Sequence, residues 1–238
     1  YIVVVHWSWN KLGVLASLYV IDFAGVIPFF IVASGTVFAA ANILENKCKV
    51  RLLELESVPR WGVWGVVVTL VMSVLVGTMF LISYESDWYK IVGYSLLVVM
   101  STNLINLSLN RYTPFPKVTP LRSTLIGLIS VAAIVVYVPS WWVIPILSLW
   151  GIGLYHVGNI FLKNAELENP LNMISLFGVV GLGSLLSVGT MHSHYGVFFG
   201  GGVHQVVYQL TGGIVALSYS IVSTTIILKI AKYLKWVR

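Results

Sequence analysis

Long apolar stretches separated by short polar connections dominate the chain. About twenty predominantly apolar residues cross the hydrocarbon core of a bilayer as an α-helix. On that measure the pattern gives candidate spans near 23–44, 62–83, 90–109, 123–139, 142–162, 172–190 and 206–231. Seven crossings are thus predicted. Residues 1–9, YIVVVHWSW, are apolar but too few to cross, and the chain opens without methionine in what reads as the tail of an earlier helix.

The polar positions orient these spans. With alternate connections assigned to opposite sides, one side collects Lys47, Lys49, Arg51, Arg60, Arg111, Lys117, Arg122, Lys163, Lys229, Lys232, Lys235 and Arg238. The other holds Lys11 and Lys90. Positive charge favours the cytoplasmic side, so the expectation is a cytoplasmic C-terminus and an external 191–205 connection. Trp88, Tyr89, Trp141 and Trp142 fall in external connections, where amphipathic rings suit the headgroup level. Spans joined by loops this short must pack on their neighbours, so residues 1–238 read as one helical membrane domain in the cell membrane, with the lipid bilayer as its first partner.

Composition agrees with the pattern and removes other classes. At 58% hydrophobic and 9% charged residues, with mean hydropathy +0.92, there are too few charges to cover a soluble surface of this size. The net charge of +6 is scattered through short connections and forms no aromatic-interleaved patch for a nucleic acid. The one cysteine, Cys48, allows no internal disulfide and reads as an inert loop thiol between Lys47 and Lys49. Gly178, Gly181, Gly183, Gly189, Gly212 and Gly213 let helix backbones approach closely where no hydrophobic force drives association.

Histidines are the remaining source of chemistry. His192 and His194 form an H-x-H pair that suits zinc or copper, but no carboxylate or cysteine joins them; with His204 they read as solvated or headgroup-level residues. His156 lies within a span, where a hydrogen bond to a neighbouring helix is the expected use. No nucleophile–base pair, paired carboxylates or cofactor loop occurs in the spans, so neither an enzyme, a metal nor a cofactor is expected.

The stretch 22–31, DFAGVIPFFI, sets an acid before a membrane helix. Asp22 can cap backbone N–H groups that have no water to turn to, and its charge suits the positive helix end. Together with the preceding HWSWN, this stretch resembles the ammonium transporter (Amt/Mep/Rh) family, whose members read approximately H-W-x-W and then D-F-A-G-G-T-V-V-H. PLNMISLFGVVGLGS resembles the family's P-x-D-V-F-G-V-H-G-V-x-G, and GVHQVVYQL its G-H-Q-L-L-V-Q-L. The order of motifs matches across nearly the whole chain, which corresponds to the later part of a family member, from the end of its fourth span onward.

The resemblance implies an all-α membrane bundle of ammonium-transporter type, assembled as a homotrimer, with a pore between inverted repeats. It places Trp9 at the family's outer cage tryptophan and Asp22 at its buried aspartate. The two pore histidines fall on Phe30 and Phe177, the second acid falls on Asn172, and the aromatic gate of the next helix has no counterpart in SVLVGTMFLIS before Phe80. Two phenylalanines facing each other there would fill the lumen and offer no hydrogen bond. One reading is therefore a non-conducting subunit, kept as a scaffold or binding partner in a homotrimer or among unlike membrane subunits. The other is an ammonium or small-solute transporter with an altered pore.

Overall fold

A computed structural model describes residues 1–44, 88–113, 115–165, 167 and 172–234. The expected 62–83 span, Cys48 and the stretch ending near Phe80 lie outside these residues. The described elements are helical: α1 (Ile2–Trp9), α2 (Val14–Ser17), α3 (Val26–Ile43), α4 (Trp88–Tyr112), α5 (Pro120–Ala132), α6 (Val143–Asn164), α7 (Ile174–Met191) and α8 (His204–Tyr233). Five of them, α3, α4, α6, α7 and α8, are long and apolar enough to cross a membrane.

The 123–139 span differs from its expectation. Its helix, α5, begins where Thr119 accepts a hydrogen bond from the Arg122 N–H and Pro120 occupies the first turn, an arrangement that suits a helix start. It stops after 13 residues, about 20 Å of helix and short of a bilayer core of about 30 Å. The β-branched run Ile134–Val136 and Pro139 oppose continuation. The broken end is hydrogen-bonded inside the bundle. The Ala132 and Ala133 carbonyls accept from the Ala24 and Phe23 N–H groups at 3.3 and 3.4 Å, and the Ala133 N–H donates to Ser184 Oγ at 3.2 Å. Irregular backbone is tolerated at membrane depth because protein groups complete it.

Two groups of helices make up the bundle. In one, α4, α5 and α6 pack on each other through short polar contacts: Ser101 Oγ to Ser148 Oγ at 2.7 Å, and Asn103 Nδ2 to Thr124 Oγ1 at 3.0 Å. In the other, α3 packs on α8, and α7 packs on both. The α3–α8 seam is close because Gly35 has no side chain against Ser220, whose Oγ donates to the Val32 carbonyl at 2.6 Å. The groups join where α5 and α6 meet α7, with Trp150 Nε1 donating to the Gly183 carbonyl at 3.2 Å.

Helices α3 and α7 run antiparallel. The first turns of α3 meet the second half of α7, while the first turns of α7 meet the second half of α3, with Ser34 set against Gly178. Both helices start with a wider, π-helical turn, over Val26–Ile31 and Ile174–Val179. Such turns are rare and recur at functional sites.

Candidate functional site

At the entry to α3, Asp22 is buried, and its two carboxylate oxygens accept from the Val26 and Ile27 N–H groups at 2.7 and 2.8 Å. The acid thus satisfies donors that the helix leaves unpaired. Burial lifts its carboxyl to about 6, against the opposing pull of the Ile27, Val26 and Gly25 N–H groups. Trp9 stands over the same segment: its indole Nε1 donates to the Asp22 carbonyl at 3.1 Å, and its ring meets Phe29 edge-on at 5.9 Å. Gly25 makes this fit possible. Its φ of 74° is left-handed, and a Cβ there would lie 2.7 Å from the Trp9 ring and 2.6 Å from Phe29.

Deeper in the bundle, the structure brings Phe30 and Phe177 together. Their ring centroids are 5.6 Å apart and the planes are tilted by 32°. Phe30 packs against both apolar clusters of the core and Phe177 against the one that includes Ile126, Leu176 and Val180. Asn172 precedes α7 with a left-handed φ of 56°. Of the five residues the sequence singled out, Trp9 and Asp22 meet at one end of α3, Phe30 and Phe177 meet between the helices, and Asn172 sits at the start of the second.

His192 corrects the expectation of a solvated histidine. Only 2% of it is exposed; its ring stacks on Tyr137 at 4.5 Å, and its Nδ1 accepts from the His194 and Tyr195 N–H groups at 3.1 and 3.2 Å. Burial first, and His194 second, push its pKa down to about 4. His194 and His204 are exposed. His156 is buried against Phe115, with the rings stacked at 5.0 Å. Among the described residues, no group of three or more His, Cys, Asp or Glu could hold a metal ion.

Sequence reasoning did not foresee Gln205, whose Nε2 donates at 3.1 Å to the carbonyl of Tyr19, itself held at a left-handed φ of 58°. These two residues and Tyr195, His204 and Tyr208 line a cavity of about 640 Å³ beside the Asp22 end. The left-handed Tyr19 has no local sequence signal, since bulky residues seldom adopt that conformation.

Five helices long and apolar enough to cross a membrane, two of them antiparallel and each entered through a left-handed residue and a π-helical turn, define a multi-pass membrane helix bundle. The chain is similar to ammonium transporter 3 of Dictyostelium discoideum, at 27% identity over 254 aligned positions covering 91% of this chain and 56% of that protein. Its fold is similar to that of Candida albicans Mep2 (TM-score 0.74, 19% identity, 99% of this chain and 55% of the other). Saccharomyces cerevisiae Mep2 (0.73, 20%, 99% and 57%) and a sensor Amt protein (0.71, 20%, 96% and 61%) have it too. No protein-family model matches the sequence. The chain therefore has the ammonium-transporter fold and resembles that family in sequence, and it spans about half the length of the relatives it matches.

Proposed function

We propose that this chain is a divergent ammonium-transporter-type membrane subunit whose solute path is closed at Phe30 and Phe177, and that it serves as a structural or partner-binding subunit of a membrane complex. The observation that carries the reading is the 5.6 Å contact between those two rings. An ion that sheds its water to pass between them loses several kcal/mol of solvation. A phenyl face returns about 2 kcal/mol when fully desolvated, and each of these rings already has the other against it. Desolvation wins, and neither ring offers a hydrogen bond in exchange. The bias of Lys and Arg supports a cytoplasmic C-terminus and a place in the cell membrane.

A second reading, a working transporter of ammonium or a small neutral solute through an altered pore, draws on the intact contact between Trp9 and Asp22 and on the name of the Dictyostelium relative. Uptake of methylammonium by vesicles containing the full-length protein separates the two. The closed-path reading expects no uptake above protein-free vesicles, and uptake on replacing both rings (Phe30→His with Phe177→His). Saturable uptake by the unmodified protein would overturn it in favour of the second.

A further inference from the structure

The approaches to the two rings share a pattern. Gly25 has a φ of 74° and is followed by the π-helical turn Val26–Ile31; Asn172 has a φ of 56° and, after Met173, is followed by the π-helical turn Ile174–Val179. Phe30 is the fifth residue after Gly25, and Phe177 the fifth after Asn172. The helices that carry them run antiparallel, so the two halves meet head to tail with one ring from each.

Backbone geometry makes this spacing consequential. A π-helical turn closes its hydrogen bonds from i to i+5, taking in one residue more than an α-turn. Each α-helical residue advances the side chain by about 100°, so gaining or losing that extra residue redirects everything after it. A left-handed residue at the threshold fixes where the turn begins. Glycine enters that conformation freely and asparagine readily, whereas a β-branched residue there is a marked outlier.

We infer that Gly25 and Asn172 are a matched pair of positioning residues, each acting through its left-handed backbone to start the π-helical turn that aims one of the two facing phenylalanines. On this view Asn172 serves through its φ angle rather than through contact of its amide with a solute. The inference goes beyond the closed path proposed above and does not depend on it. Uptake by the unmodified protein would overturn that reading and leave this one standing.

The test reads ring contact directly. 4-Fluorophenylalanine is placed at position 30 of the full-length protein, and its fluorine chemical shift is compared with that in a Phe177→Leu background, which lacks the facing ring. Asn172→Gly should keep the wild-type shift, because glycine holds a left-handed φ without the amide. Asn172→Val should move the shift to the Phe177→Leu position, and Gly25→Ala should move it in the same direction. A folded Asn172→Val protein with the wild-type shift would overturn the inference. So would loss of the shift in Asn172→Gly, which decides the matter even where the valine variant does not fold.

Discussion

Replacing Gly35 by alanine probes the seam that holds α3 to α8. The new Cβ would sit 2.9 Å from both Cβ and Oγ of Ser220 and 3.1 Å from the Leu217 carbonyl. Ser220 is not free to retreat, because its Oγ is tied to the Val32 carbonyl at 2.6 Å and lies 3.1 Å from Thr36 Oγ1. Restoring an ordinary contact of about 3.5–4.0 Å therefore means moving the helices apart by roughly 0.5–1 Å. Overpacking of this kind costs about 1–3 kcal/mol, and a hydrogen bond lost between membrane helices adds about 0.6 kcal/mol. Alanine regains about 1 kcal/mol of helix propensity over glycine. The net expectation is a loss of about 0.5–2.5 kcal/mol, larger than that of Ser220→Ala, measured by denaturant or thermal unfolding of the full-length protein in detergent. In a Ser220→Gly background the two Ser220 contacts disappear, while the 3.1 Å approach to the Leu217 carbonyl and the propensity gain remain, so the same Gly35→Ala change should cost less than in the wild type. Equal or greater stability of the single Gly35→Ala variant, or an undiminished cost in the Ser220→Gly background, would refute the steric account.

Acid titration should move the contributions of Asp22 and His192 to stability in opposite directions. The folded Asp22 carboxyl takes its proton near 6 and the unfolded one near 3.8, so the folded state holds the extra proton between these values. Wild-type stability should therefore rise relative to Asp22→Asn as the pH falls from 7 towards 4, by about 3 kcal/mol at most; a constant or shrinking difference would contradict the buried acid. His192 has the reverse sign. Its folded pKa of about 4 lies below the ordinary 6.5, so the unfolded state takes the proton first, and stability relative to a His192→Gln variant should fall between pH 6.5 and about 4. Unfolding of both pairs across this range checks the two signs together.

Much of the membrane architecture was legible in apolar run length, and the reason is physical: a bilayer of fixed thickness demands a minimum length of apolar helix. The α3, α4, α6, α7 and α8 helices lie close to their expected bounds. The Asp22 cap was legible too, since an acid before an apolar run has few other uses in hydrocarbon. Run length failed at 123–139, because Ile134–Val138 is as apolar as a helix interior and hydropathy does not register the break that the partners at Ala132 and Ala133 complete. His192 was misread for a related reason: polarity suggests solvent, while the backbone N–H groups of His194 and Tyr195, both donating to Nδ1, and the Tyr137 ring hold the imidazole inside. The π-helical turns and the left-handed Asn172 left no mark on hydropathy, because they depend on how backbones meet rather than on which residues are apolar.

The break at the end of α5 bears on biogenesis. Phe23 and Ala24 take their acceptors from Ala132 and Ala133, residues made only after nearly half of the chain has followed them from the ribosome. Until those carbonyls arrive, the amides ahead of α3 must find water, which holds that end of the helix near the membrane surface. Seating α3 at its final depth thus waits for the synthesis of α5, and a pause or truncation before Ala132 would leave the helix inserted but not locked.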